Sequence, residues 1–387
     1  MSRREVLRRW PATIAPIVLV LSSTVLALFL GELFLRAIFH PGDYLYASLV
    51  DDPVLGHRIE PLTRGHDALG FRNREVPERV GIVAIGDSQT YGWGVLREDS
   101  WPSQLAVLLH EPVYNMALGG FGPLEELYLA KHEAMRLHPR LLLVALYFGN
   151  DIAEAYRCAH ERPYWYDWRE TTSATGAQPD DLTPDAREAG KPLGALRDWL
   201  SRTSVLYGFL RVRVFHRLSI LERDRLAAQV TPDSQMVWVD PADHSVRTIF
   251  TAKRRLSALD TRRPNIQEGL RISKRAFEAI KAHAAARGVR LLVVLIPTKE
   301  QAYSRYLEQC GSPMPAALIR LCAVEARVKG DMVEFLESKG IGYVDVTQAL
   351  AEATQRHVPI YPQNSDSHPV GAGYGVIARA VFDALQR

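Results

Sequence analysis

Short apolar runs, each closed by a polar or glycine-rich turn, alternate along most of the chain with longer stretches of helical periodicity. Val80 to Ile85 predicts a buried strand, and the spacing of Trp101, Leu105, Val107 and Leu108 predicts a helix reaching about His110. Pro112 to Asn115 predicts a second short strand, and Pro123 opens a helix reaching about Leu137. Leu141 to Phe148 is apolar almost without a break, as a central parallel strand covered on both faces would be. After an interruption the rhythm returns with an amphipathic helix over Ile266 to Arg287 and a strand over Val289 to Ile296. Helical segments then reach about Lys339, a last strand spans Gly342 to Val346, and a helix closes the chain from about Gly371 to Leu385. Strands alternating with helices predict an α/β fold around a parallel sheet.

Other stretches depart from this rhythm. From Trp10 to Gly31 no side chain carries charge, and as a helix this span would measure roughly 33 Å, enough to cross a bilayer core. Arg3, Arg4, Arg8 and Arg9 precede it and few basic residues follow, which keeps the N-terminus in the cytoplasm and sends the rest across. The expectation is a single-pass anchor through residues 10–31 of the cytoplasmic membrane, with the main domain on the periplasmic or extracytoplasmic side. A cleaved signal peptide is the alternative, disfavoured by the length of the run and the lack of a small-x-small site at its end. His40 to Arg79 reads as a tether and lead-in, with Gly70-Phe71-Arg72-Asn73 a turn that docks on the domain.

The interruption, from about 152 to 265, reads as an insertion within a domain spanning 80–387. It holds an aromatic cluster, Tyr164-Trp165-Tyr166-Asp167-Trp168, and a polar loop over Gln178 to Pro192. A helical stretch over Leu196 to Leu221 follows, with Leu206, Leu210, Val214 and Leu218 apolar and Arg211, Arg213 and Arg217 basic. Three readings stand: aromatics stacking on sugar rings, a basic amphipathic stretch resting on a membrane surface, or a cap packed over the main domain.

The net charge of +3 belongs wholly to residues 1–40, where Arg3, Arg4, Arg8, Arg9 and Arg36 stand against Glu5 and Glu32. The remainder is formally neutral, which argues against nucleic acid as a partner. The cysteines, Cys158, Cys310 and Cys322, lack metal-site spacing. Cys310 and Cys322 either pair in an oxidising compartment or stand as two thiols. There is no P-loop, no HExxH and no complete Rossmann glycine fingerprint, so no cofactor is implied.

Candidate chemistry gathers at the ends of the predicted strands. Gly86-Asp87-Ser88 places a serine where a strand gives way to a helix, and free N–H groups there can stabilise an oxyanion. On its own this tripeptide is an ordinary turn. Asn115 leads into Gly119-Gly120-Phe121-Gly122, a loop that brings backbone N–H groups close to a ligand. Gly149-Asn150-Asp151 ends the central strand, on the edge where open α/β sheets bind ligands. Among 12 histidines His368 stands apart, because Asp366 lies two residues before it in a loop ahead of the last helix. His244 also follows an acid, Asp243, but away from any strand end. A serine, a base near neutral pKa, a carboxylate to orient that base and preset donors are what acyl transfer requires.

In this order the blocks resemble those of the SGNH hydrolases, also called the GDSL esterase/lipase family. The resemblance covers about Val80 to Asp151 and about Val289 to the C-terminus. It implies an SGNH-type, flavodoxin-like, three-layer α/β/α domain that uses no metal or organic cofactor. Ser88 matches the nucleophile, His368 the base and Asp366 its carboxylate partner. The backbone N–H groups of Ser88 and Gly120, with the Asn150 amide, match the oxyanion hole, and Gly119 is a rival for the place of Gly120. The sequence departs from the family at the last block, where the position three before the histidine is Ser365 and the acid stands two before. The second block is GGFG rather than a lone glycine. No GxSxG elbow is present, which sets an α/β-hydrolase lipase aside. More loosely, Pro297-Thr298-Lys299 resembles a turn in membrane-linked SGNH-type proteins of bacterial exopolysaccharide O-acetylation. The resemblance implies a membrane-anchored serine esterase with an acylated small-molecule or carbohydrate substrate, acetyl esters of envelope or exported carbohydrate being expected. An O-acyltransferase using the same residues is the alternative, and a non-catalytic scaffold of a polysaccharide assembly complex is another.

Overall fold

The computed structural model describes residues 14–170, 194–213, 237–239 and 248–387. The polar loop expected over Gln178 to Pro192, the helical stretch beyond Arg213 and His244 lie outside the described residues. The chain divides into two compact units.

In the first unit a helix over Ile14–Ile38 stands with two shorter ones, Gly194–Thr203 and Val205–Arg213. By length and composition its Pro16–Ile38 part can cross a membrane, with a mean hydropathy of 2.3 over its most apolar 18 residues, none of them buried. The helix outruns the uncharged span because Glu32 and Arg36, one turn apart, pair at 2.7 Å. Glu32 also accepts from Ser204 Oγ at 2.8 Å and from the N–H groups of Val205 and Leu206, both at 2.9 Å. Its carboxylate thus caps the N-terminus of one short helix, while Arg36 donates to the Thr203 carbonyl, 2.6 Å away, at the C-terminus of the other. The single helix expected from Leu196 is therefore two, broken at Ser204.

The second unit is built on a sheet. A hairpin of β1 (Leu49–Asp52) and β2 (Gly56–Ile59) precedes it, and a short ladder pairs β6 (Val237–Val239) with β7 (Thr248–Phe250). The main sheet is five-stranded and parallel throughout. It holds β3 (Ile82–Gly86), β4 (Val113–Ala117), β5 (Leu141–Tyr147), β8 (Arg290–Ile296) and β9 (Gly342–Asp345), in the order β4-β3-β5-β8-β9. Every residue of β3 and β5 is buried, as their unbroken apolar runs require of strands covered on both faces. Helices Trp101–Leu109 and Gly371–Leu385 pack on each other, and Pro123–His132, Asp151–Glu161 and Pro264–Ala285 form a separate group, so helices flank the sheet in three layers. With β3 counted as the first strand the order is 2-1-3-4-5, the flavodoxin-like arrangement. Its direction reverses beside β3, so the C-terminal ends of β4, β3 and β5 form the natural ligand crevice.

The segment read as a lead-in is built into this unit. Leu55, Ile59 and Phe71 join its core. The turn at Gly70 to Asn73 docks as expected: Asn73 Nδ2 donates to the Asn115 carbonyl at 3.0 Å and Asn73 Oδ1 accepts from Asn115 N at 3.0 Å. The interval read as one insertion divides. Residues 194–213 belong to the first unit, whereas Ile152, Ala155, Trp165, Phe250 and Leu259 join the core of the second. Trp165 is a packing residue, while Tyr164 and Tyr166 are exposed. Cys158, Cys310 and Cys322 are free thiols.

Candidate active site

Strand β3 ends at Gly86, where a β-carbon would meet Thr90 Oγ1 at 2.3 Å, so only glycine lets the chain turn so tightly into the next helix. That helix, Ser88–Tyr91, is capped by Asp87, which accepts from Gln89 N at 2.8 Å. It closes at Gly92, in the left-handed conformation with φ 82°. Ser88 therefore begins a helix rather than sitting in an open loop, and its N–H is one of those a helix start leaves unpaired.

The loop ahead of the last helix brings His368 to it. Ser88 Oγ lies 2.8 Å from His368 Nε2. His368 Nδ1 lies 2.6 Å from Asp366 Oδ1, which also accepts the His368 N–H at 3.0 Å. Burial works to raise the Asp366 pKa, but the charge and hydrogen bonds of His368, with the Lys299 ammonium, hold it down to about 2. An ionised Asp366 fixes the proton on Nδ1 and leaves Nε2 free to accept from the serine hydroxyl.

The expected oxyanion residues lie at the ends of the two strands flanking β3. Gly119 and Gly120 follow β4, and Gly120 has φ 80°. Gly119 packs against Ser88, since a β-carbon there would lie 3.5 Å from Ser88 Cβ. Among the described residues no acceptor takes the N–H of Ser88, Gly119 or Gly120. Asn150 follows β5, half-buried, at the N-cap position of helix Asp151–Glu161, where its side chain makes no capping bond. Ser88, His368 and Asp366 are thus joined in a chain of hydrogen bonds, and the strand ends that carry Ser88, Gly120 and Asn150 share one sheet edge.

The site also has supports that the sequence reading did not assign. Lys299 is buried, and its Nζ donates to the carbonyls of Asn364 at 2.7 Å, Asp366 at 3.1 Å and Pro362 at 3.2 Å. Burial pushes its pKa down to about 8. Arg255, from helix Ala252–Leu259, donates to Ser367 Oγ at 2.5 Å and to the Gly149 carbonyl at 3.1 Å. It ties the loop of Asp366 and His368 to the strand end that carries Asn150. Arg72, buried, donates to the carbonyls of Gly92 and Val95, each at 2.7 Å. These bonds pin the loop that presents Trp93, 45% exposed, with its ring centroid 6.3 Å from that of His368. The prior signals for these were the turn at Pro297-Thr298-Lys299 and the docking turn Gly70-Phe71-Arg72-Asn73; Arg255 sits in a segment where the sequence showed no pattern.

Near Ser88 lies a buried group of acids. Burial pushes the carboxyls of Glu126 and Asp151 well up, and the Asp87 charge adds to the effect. Asp87 is itself raised by burial, and its Oδ2 lies 3.3 Å from Ser88 Oγ, a longer alternative to the His368 bond. Asp151 accepts the N–H of Tyr147 at 2.7 Å and so holds the strand end that precedes Asn150.

No protein-family model matches the chain, and no curated protein matches it. Among solved structures it is similar to a protein described as lipolytic, of the G-D-S-L family, from Desulfitobacterium hafniense DCB-2, at 11% identity over 79% of this chain and 99% of that one, with a TM-score of 0.39. It is similar to a GDSL-like lipase from Bacteroides thetaiotaomicron, at 11% identity over 80% and 92% of the two chains, with a TM-score of 0.34. It is also similar to an acetylxylan esterase from Geobacillus stearothermophilus, solved as a catalytic mutant, at 10% identity over 81% and 96%, with a TM-score of 0.39. Two of these solved structures are thus described as GDSL-type lipolytic proteins and the third as an esterase.

Proposed function

We propose that the protein is a membrane-anchored serine ester hydrolase that cleaves small acyl esters, acetyl above all, from envelope or exported carbohydrate. The observation that carries the reading is the continuous hydrogen-bonded chain Ser88 Oγ to His368 to Asp366, at 2.8 and 2.6 Å. In this reading His368 Nε2 takes the hydroxyl proton as Ser88 Oγ bonds to the ester carbonyl carbon. The N–H groups of Ser88 and Gly120 and the Asn150 amide hold the oxyanion that forms. When the intermediate collapses, the C–O bond to the alcohol breaks and His368 returns its proton to the leaving oxygen. Water then attacks the acyl-serine, giving its proton to His368, and Ser88 recovers a proton as the carboxylic acid leaves.

Two features support the choice of substrate and place. The exposed indole of Trp93 beside His368 offers a flat apolar surface of the kind on which sugar rings stack. The uncharged span from Trp10 to Gly31 ahead of the hydrolase unit, preceded by arginines, supports an anchor with the site on the extracytoplasmic side. The test is product analysis with the full chain in detergent, using p-nitrophenyl acetate and acetylated xylo-oligosaccharide, each with and without an unacetylated oligosaccharide. Free acetate from both esters, lost in Ser88→Ala, is the expected result. Acetyl groups recovered on the added sugar in place of free acetate would replace hydrolysis by transfer at the same site. No acetate and no transfer from either ester would overturn the reading in favour of a scaffold.

A further inference from the structure

The hairpin of β1 and β2 supplies a histidine to the oxyanion loop. His57, on β2, lies with Nε2 3.0 Å from the carbonyl oxygen of Gly119. We propose that His57 is a positioning residue for catalysis: by holding the Gly119 carbonyl it sets the direction of the Gly120 N–H and so the geometry of the oxyanion hole. The inference rests on the reading of Ser88 as nucleophile and Gly120 as an oxyanion donor.

The physical basis is the peptide plane. A trans peptide is rigid, and its C=O and N–H point in opposite directions. The Gly119 carbonyl and the Gly120 N–H belong to one such unit, so fixing the first fixes the second. A peptide with glycine on both sides is the easiest of all to flip, because neither flanking residue has a β-carbon to oppose rotation. Gly120 already uses that freedom, at φ 80°. Without an outside partner for its carbonyl, this peptide has little to choose between orientations, and an oxyanion donor is effective only when aimed in advance.

The surroundings fit this role. On one side Gly119 lies against Ser88, and on the other a β-carbon on Gly120 would lie 3.6 Å from His57 Cε1. The peptide therefore runs between the nucleophile and the histidine. The Gly120 N–H has no acceptor among the described residues, as a donor kept for a ligand would not.

His57 is itself held firmly. Its ring packs on Phe121, with centroids 5.6 Å apart. The hairpin turn is closed by Asp52 Oδ1, which accepts from Val54 N and Leu55 N at 2.9 Å each. Trp165 Nε1 anchors the same turn through the Val54 carbonyl at 2.9 Å. Burial lowers the His57 pKa, Arg162 and Arg157 add to this, and the Gly119 bond and Glu125 oppose it. A neutral ring that meets a carbonyl through Nε2 must carry its proton there, which makes His57 the donor.

The test compares His57→Ala, His57→Gln and Ser88→Ala in the full chain in detergent, on p-nitrophenyl acetate and on the matching thionoacetate. Sulfur in place of the carbonyl oxygen accepts hydrogen bonds poorly, so the preference for the oxygen ester reports on the oxyanion hole. His57→Ala is expected to lower kcat on the oxygen ester about 10-fold or more, with KM within about twofold. The oxygen-to-sulfur preference should fall several-fold, and His57→Gln, which keeps an N–H donor, should restore most of both. The preference is a ratio, so a smaller folded fraction cannot change it. Equal losses on the two esters, or no kinetic loss, would make His57 only a peg for the hairpin and overturn the proposal while Ser88→Ala still abolishes turnover. Undiminished turnover in Ser88→Ala would overturn the hydrolase reading and this inference together.

Discussion

Asp366 reaches both the ring and the backbone of His368 because a single residue separates them. An acid two positions ahead can accept the N–H of the residue it precedes, in the manner of an Asx turn. Here one oxygen, Oδ1, takes that N–H at 3.0 Å and the ring nitrogen at 2.6 Å. The spacing that departs from the usual SGNH block is thus compensated by a tighter local turn, and Ser365 has no part in it. With its pKa held to about 2, Asp366 is ionised at any pH where the protein would work. Asp366→Ala should lower kcat on p-nitrophenyl acetate by about 100-fold or more with little change in KM, because the imidazole loses both its orientation and its counter-charge. Steady-state kinetics at neutral pH checks this, and a loss of less than about threefold would mean that another group orients His368.

Legibility at the scale of elements follows how each element is buried. Strands β3, β5 and β8 were plain in the sequence because both faces of the sheet are covered, which forces unbroken apolar runs such as LLLVALY. The closing helix Gly371–Leu385 matches its expected bounds, and the helix expected from Pro123 to Leu137 ends in a separate 3-10 turn over Ala134–Leu137. The candidate site was legible where it coincides with strand ends, since glycines and polar residues stand out after apolar runs. What holds that site was not. Arg255, Arg72 and His57 act through a few long-range hydrogen bonds, chiefly to carbonyls of distant loops. A polar residue in an aperiodic segment looks the same whether it faces solvent or such a carbonyl, and no local pattern distinguishes the two. The break at Ser204 was invisible for the same reason, because its cause is the Glu32 carboxylate on a helix far away in sequence.

On the scale of the whole molecule, the hydrolase unit keeps an unusual number of acids inside. Burial pushes the carboxyls of Glu154 and Glu325 up to about 7, and it raises those of Asp87, Glu126 and Asp151 as well. A carboxyl that keeps its proton longer in the folded chain than in the unfolded one makes stability fall as pH rises between its two pKa values. The window here runs from the ordinary carboxylate value of about 4 up to about 7. Asp366 acts in the opposite sense, losing stability only as pH falls below about 4. The thermal midpoint of the full chain in detergent should therefore be higher at pH 5 than at pH 8, as circular dichroism would show. An equal or higher midpoint at pH 8 would mean that the buried acids are solvated or paired more fully than this structure places them.

The central claim is that Ser88 is a nucleophile activated by His368, and the most direct measurement is the site and rate of covalent labelling by a fluorophosphonate, read by mass spectrometry of the intact chain and its peptides. The account predicts one adduct per chain, on Ser88, absent in Ser88→Ala and formed at least about 100-fold more slowly in His368→Ala. Labelling at another residue, or labelling of Ser88 at the same rate without His368, would contradict it.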